Sequence, residues 1–215
     1  MNLVFLGAPG SGKGTQAARL AQALSVLHLS TGDLLRAAVK GGTDLGRKAD
    51  RYMKAGDLVP DDVIMGLIDE KRRTGELDSG FILDGFPRTM SQAEALDALF
   101  EQAGDGIDRA VFLEVDDEEI IRRLSGRMFC PDCQAGYNYP VSMPRREGVC
   151  DKCGGRLARR PDDEPEVVKN RLAVYRKQTK PIEGYYRTKS VLLEIEGVGT
   201  PDDIFARIKK GLGVA

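Results

Sequence analysis

Two groups of residues in this 215-residue chain have types and spacings that can do chemistry. The first is Gly7-Ala8-Pro9-Gly10-Ser11-Gly12-Lys13-Gly14-Thr15, entered from the apolar run Leu3–Leu6 and followed by a helical pattern. Closely spaced glycines let backbone N–H groups turn inward around an anion. The helix N-terminus adds its positive dipole end, and Lys13 reaches the outer phosphates. A glycine-rich loop alone is weak evidence; strand, G-x-x-x-x-G-K and helix in succession point to a phosphate-binding loop built from Gly10, Ser11, Gly12, Lys13, Gly14 and Thr15. One departure matters. Gly14 stands where many such loops place the Ser or Thr that ligates Mg²⁺, and Thr15 comes one position late. The pattern therefore predicts Mg²⁺ held mainly by nucleotide and water, in keeping with its reluctance to dehydrate. Asp84 ends the apolar run Phe81–Leu83, and ligands of open parallel sheets gather beyond the strands' carboxyl ends. It is expected to face the same phosphates and orient water on Mg²⁺, against the plainer reading of a turn-forming Asp before Gly85.

The second group is Cys130-Pro131-Asp132-Cys133 and Cys150-Asp151-Lys152-Cys153, a C-x2-C…C-x2-C pattern with sixteen residues between the pairs. Two such knuckles offer four thiolates tetrahedrally, the closed geometry of a structural Zn²⁺ site. Iron fits the same sulfur cage. Two disulfides are the alternative, and they belong to an oxidising compartment.

Arginines surround this knot. Arg123 and Arg127 are four apart and share one face of a helix entering the cysteine segment. Arg160 closes that segment, and Arg171 follows eleven residues later. Arg122 can share the role of Arg123. Ser30 and Thr31 end a strand and begin a helix, for which N-capping is the plain explanation of Ser30. His28, the single histidine, lies within a strand and is read as structural.

The elements that must position these groups alternate. Short apolar runs at Leu3–Leu6, Val26–Leu29, Phe81–Leu83, Ala110–Val115 and Val191–Ile195 are separated by helical patterns near 13–24, 31–40, 44–55, 61–73, 91–103, 117–125, 164–179 and 202–210. That rhythm is the signature of a parallel sheet covered by helices on both faces. Pro181 is expected to break the long helix after Lys180. Residues 127–163 interrupt the rhythm: they hold all four cysteines and four of the ten prolines, with little helical periodicity. They read as an inserted small domain, and 30–59 as a second insert.

Composition narrows the function. Lys+Arg 32 against Asp+Glu 33 leaves a net charge of −1, which argues against a whole-chain polyanion binder. Zero Trp and 6% aromatics give no support to a multi-ring stacking platform. No uncharged apolar run approaches the roughly 18 residues of a membrane span. The first residues lack the cation and the apolar length of a signal peptide. A cytoplasmic protein without membrane partners is expected.

The phosphate loop, Ser30-Thr31-Gly32-Asp33, Leu83-Asp84-Gly85-Phe86-Pro87-Arg88 and Arg160-Pro161-Asp162-Asp163 together resemble the adenylate kinases, in their long form with a metal-bearing lid. The resemblance runs over essentially the whole chain, in order and with fitting spacing. It implies an α/β P-loop three-layer fold with a five-stranded parallel sheet. The core would be 1–29, 60–126 and 164–215, with a helical AMP-binding insert at 30–59 and a zinc-binding lid at 127–163. It implies that Thr31 meets the base of the acceptor AMP, that Arg36 holds its phosphate, and that Asp57, Leu58 and Val59 line the adenine. Gly85, Phe86, Pro87 and Arg88 would form a rigid turn with a cis proline bond, and Gln92 would hydrogen-bond the purine. Arg123 and Arg127 would serve ATP, Gly136 and Tyr137 would cover it, the Gly199 backbone would read its adenine, and Arg160 and Arg171 would clamp phosphates. A monomer is also implied.

The reaction implied is MgATP + AMP ⇌ 2 ADP. No convincing general base accompanies these residues, and none is needed: a monophosphate whose second pKa is about 6 attacks already ionised at neutral pH. Transfer then rests on in-line positioning and charge neutralisation by Lys13, Arg88, Arg123, Arg127, Arg160 and Arg171. Two other readings stay open. UMP, CMP or GMP could be the acceptor, and the knuckles could form a zinc ribbon in an ATP-switched nucleic-acid binder. Residues 127–163 carry only seven Lys/Arg against five Asp/Glu, a small excess for gripping a polyanion.

Overall fold

A computed structural model describes residues 1–214. In chain order the strands are β1 (Asn2–Leu6), β2 (Leu27–Ser30), β3 (Phe81–Asp84), β4 (Arg109–Glu114), the short β5 (Arg127–Phe129) and β6 (Gly136–Asn138), and β7 (Leu192–Glu196). The helices are α1 (Lys13–Leu24), α2 (Thr31–Lys40), α3 (Asp44–Ala55), α4 (Asp61–Arg73), α5 (Met90–Glu101), α6 (Asp117–Ser125), α7 (Pro165–Val174), α8 (Ile182–Thr188) and α9 (Pro201–Leu212).

Five strands form one parallel sheet in the order β2-β3-β1-β4-β7. Alternation along β1 builds its two faces. Leu3 and Phe5 pack with Ala17 and Leu20 of α1 and Ile204 and Ile208 of α9. Val4 and Leu6 point the other way, toward Ile64 and Ile68 of α4, Leu96 and Phe100 of α5, and Ile182 and Tyr186 of α8. Covering both faces removes the polar alternation of a half-exposed strand, which is why the strands read as unbroken apolar runs. The expected five-stranded α/β architecture is the one observed.

Helix starts follow capping chemistry. Ser30 Oγ accepts from the N–H of Asp33 at 3.3 Å, and Thr200 with Asp203 forms a full capping box at the head of α9. The expected start near Ser91 lies slightly earlier, because Thr89 is the cap of α5 and accepts from Gln92 N at 3.1 Å. The single helix expected over 164–179 is two pieces: α7 and a π-helical turn at Tyr175–Thr179. Pro181 does interrupt the chain there, but the helix restarts as α8, which the sequence reading did not include.

Between α6 and α7 lies the cysteine segment. It holds the β5–β6 antiparallel hairpin and a core of Cys130, Ala135, Tyr137, Cys150 and Leu157. So few apolar side chains cannot stabilise a fold of this size alone. No helix among the described residues is long and apolar enough to cross a membrane.

Candidate active site

A cleft of about 690 Å³ opens at the carboxyl ends of the sheet strands. Its floor is the loop between β1 and α1. Gly10 and Gly12 hold φ of 86° and 95°, a region that other residues enter only with strain. Lys13 Nζ folds back onto the carbonyls of Gly7 and Ala8 at 2.7 and 2.8 Å. Burial, followed by the nearby guanidinium groups of Arg88, Arg171 and Arg127 and opposed by Asp84, pushes its ammonium down to about 7. Gly14 has a spatial reason: a Cβ there would stand 3.1 Å from Asp84 Oδ2. The Asp84 carboxylate thus occupies the place beside the loop where a side chain at position 14 would project. His28, read as structural, lies in the cleft wall with Nε2 buried and 3.8 Å from Asp84 Oδ2.

The opposite wall comes from β3 and the helices α2 to α5. Thr31 Oγ1 donates to Gly85 O at 2.9 Å. Arg36 pairs with Asp33, leaving its Nε buried without a partner. The Phe86–Pro87 bond is cis, as the resemblance implied, and Arg88 Nε donates to Gly85 O at 2.7 Å. Thr179, in the π-helical turn, donates to Arg88 O at 2.8 Å, and Arg88 N donates to Gln92 Oε1 at 2.7 Å. Gln92 Nε2 donates in turn to Asp61 Oδ1 at 2.6 Å, so this amide is fixed from both ends and keeps one N–H free. Burial, then Arg171, lowers the Arg88 guanidinium to about 10. Leu35, Met53, Val59 and Ile64 line an apolar slot beside Asp57 and Leu58.

The remaining cations approach from the cysteine segment and α7. Arg127 pairs with Asp163, and Arg171 Nη1 reaches Asp162 Oδ2 at 2.8 Å. Arg160 lies over the Phe129 ring at 5.5 Å with its Nε buried and unpartnered, and burial, then Arg36 and Arg127, lowers it to about 10. Arg123 differs. Its Nε binds Glu119, and its two other nitrogens hold Ser11 O at 3.1 Å and Gly197 O at 2.8 Å. It pins the phosphate loop to the loop carrying Gly199, while Arg122 pairs with Glu119 and is exposed. Lys40 Nζ donates to Pro131 O at 3.0 Å, so the cysteine segment meets the α2 end across the cleft.

The four cysteine sulfurs all lie within 4.8 Å of one another. Cys130 Sγ is 3.4 Å from Cys153 Sγ and Cys133 Sγ is 3.5 Å from Cys150 Sγ. A tetrahedron with metal–sulfur bonds of about 2.3 Å has edges of about 3.8 Å, so the cluster could hold such an ion. Tyr137, read from the resemblance as a cover for ATP, also serves this cluster. Its hydroxyl accepts from Asp151 N at 2.7 Å and donates to Cys150 Sγ at 3.5 Å. That bond is the leading cause lowering the Cys150 thiol to about 6. Gly136, Tyr137 and Gly199 all line the cleft.

The family model described as adenylate kinase matches residues 5–191. The adenylate kinase of Lachnospira eligens is 48% identical over 213 residues, covering 99% of this chain and 100% of the relative. The chain belongs to the adenylate kinase family. The adenylate kinase of Trichlorobacter lovleyi is 49% identical over 212 residues, 99% of each chain, and that of Archaeoglobus fulgidus is 44% identical over 209 residues, 97% of this chain and 96% of the relative. The carboxylates that pair with these arginines, Glu119, Asp162 and Asp163, were not assigned from sequence. The available signal was local: Asp162 and Asp163 follow Arg160 within three residues and Glu119 precedes Arg123 by four residues, and clustered guanidinium groups need nearby counter-charges.

Proposed function

We infer that the chain is an ATP:AMP phosphotransferase, a nucleoside monophosphate kinase that converts MgATP and AMP reversibly to two ADP. We further propose that the two nucleotides lie tail to tail in the single cleft, ATP on the phosphate-loop side and AMP on the α2–α3 side. The observation that carries this is the gathering of Lys13, Arg36, Arg88, Arg127, Arg160 and Arg171 around one cavity. Burial, and after it their mutual repulsion, lowers Lys13, Arg88 and Arg160. Such a field is matched by a polyphosphate and by little else.

The parts divide the work. Residues 1–29, 60–126 and 164–215 act as the core, 30–59 as the AMP-binding insert and 127–163 as the lid. Gly10, Ser11, Gly12, Lys13, Gly14 and Thr15 wrap the ATP phosphates, Arg123 serves ATP from the position in which it pins the phosphate loop, Gly136 and Tyr137 cover the nucleotide, and the Gly199 backbone reads its adenine. Thr31, Asp57, Leu58, Val59, Gly85, Phe86, Pro87 and Gln92 form the AMP side, where Arg36 and Arg88 grip the phosphate. Lys13, Arg88, Arg127, Arg160 and Arg171 neutralise charge on the moving phosphoryl group; no side chain need remove a proton. Asp84 and Thr15 would face a Mg²⁺ ion arriving with ATP, which supplies charge neutralisation on the β and γ phosphates. Zn²⁺ is the ion best suited to four thiolates in a closed site, where it acts as structure rather than in catalysis.

The test is a coupled assay of ADP formation with AMP, UMP, CMP and GMP as acceptors, alongside ATP hydrolysis without any acceptor. AMP is expected to dominate and acceptor-free hydrolysis to be negligible beside it. Hydrolysis that proceeds equally fast without AMP would remove the tail-to-tail arrangement.

A further inference from the structure

The segment between α3 and α4 does not simply hang over the cleft. It is seated on α7, the helix that bears Arg171. Val167, Asn170 and Arg171 are spaced i, i+3 and i+4 and so share one face of α7. Asn170 Nδ2 donates to Ala55 O at 2.7 Å and to Asp57 Oδ1 at 3.0 Å. The first bond satisfies a carbonyl in the last turn of α3, which lacks a partner within its own helix. The second fixes the carboxylate of the residue that leads into Leu58 and Val59.

Between those two bonds lies Gly56, at φ 79°. A Cβ there would stand 3.0 Å from Val167 O and 2.9 Å from Arg171 Cγ. Only a glycine allows this approach, so the seat is built on both sides: a missing side chain on the α3 end, an amide with two donors on α7. A lysine at 170 could reach the same oxygens but would add a seventh cation to a crowded field. An amide supplies both donors without charge.

We propose that Asn170 is a positioning residue for the acceptor nucleotide: it docks residues 55–57 on α7 and so sets the wall at Asp57, Leu58 and Val59 against the phosphate clamp at Arg171. Asn170 touches no reacting atom in this scheme. It couples the distance between base pocket and phosphate site to a single side chain. This rests on the reading of the α2–α3 side as the AMP site.

The test compares Asn170→Ala and Asn170→Asp by steady-state kinetics with each nucleotide varied in turn, with melting curves alongside. Loss of the two bonds is expected to raise the KM for AMP roughly 3- to 10-fold, with the KM for ATP within about twofold. Asn170→Asp is expected to be the worse variant, because a carboxylate would face the Ala55 carbonyl and the Asp57 carboxylate. Adding Asp57→Asn to it restores a donor across the seam and recovers part of the loss, which a general loss of stability would not do. An AMP KM unchanged in both single variants, or parallel rises for both nucleotides tracking the melting temperature, would overturn the proposal. Arg36→Ala, run beside them, separates the two levels. If it leaves the AMP KM unchanged, the acceptor site itself is misplaced; if it alone raises that KM, only the role of Asn170 fails.

Discussion

Binding of MgATP should take up a proton at Lys13. The nucleotide-free site holds this ammonium at about 7, chiefly through burial. At pH 8 roughly nine in ten molecules therefore carry it neutral. Phosphate oxygens restore its charge, since an opposing charge at contact favours the ionised form. Uptake should be roughly 0.9 proton per ATP at pH 8, roughly 0.5 at pH 7 and roughly 0.1 at pH 6. Titration calorimetry without AMP, repeated in buffers of different ionisation enthalpy, reads this number as the slope of apparent enthalpy against buffer enthalpy. AMP alone at pH 8 is the control: its phosphate is already ionised, and Arg88, at about 10, stays charged. The same group makes the free protein more stable as pH rises from about 7 toward 10.5, because the unfolded chain binds the extra proton in that window. A slope below about 0.2 at pH 8 would show that Lys13 is charged before ATP arrives, and an equal slope in Lys13→Met would show that the proton is taken up elsewhere; either result refutes the reasoning.

Three other outcomes are expected. Lys13→Met and Arg88→Ala should each lower kcat on the order of 10²–10³-fold with the circular dichroism spectrum unchanged, as removal of one preorganised donor does; activity within threefold of wild type removes that residue from the mechanism. Chelation of the metal should lower the melting temperature and loosen 127–163, while exchange protection in β1, β3 and β4 persists; an unchanged melting curve would dispose of a structural ion. Tyr137→Phe should weaken metal retention against a chelating dye roughly 10-fold, since it deletes the hydroxyl on Cys150 Sγ and nothing from the thiolate shell. Equal retention would mean that this bond does not support the cluster.

How much could be read in advance depended on whether one segment or several carried the signal. The phosphate loop, the apolar strands and the capped helices are local. Leu3–Leu6 and Phe81–Leu83 are unbroken because both sheet faces are covered, and α1 to α4 coincide with their helical patterns. The knuckle spacing is local too, and the sulfurs do converge. What escaped was non-local or locally ambiguous. α8 begins just after Pro181, where the proline reads as a stop although it is also a good first helical residue. The β5–β6 hairpin has strands of three residues, too short to show alternation. The engagement of Arg123 with Ser11 and Gly197 joins residues 112 and 74 positions apart. Only the fold makes them neighbours. Asn170 likewise looks like an ordinary helix-surface amide until α3 is laid against α7.

The π-helical turn at Tyr175–Thr179 acts as a phase shifter. An α-helix advances about 100° per residue, and a π turn absorbs one surplus residue without ending the rod. Upstream of it Arg171 points toward Asp162; at its last residue Thr179 points at the Arg88 carbonyl. The offset lets a single stiff rod address two targets whose bearings ordinary helical pitch would not bring into line.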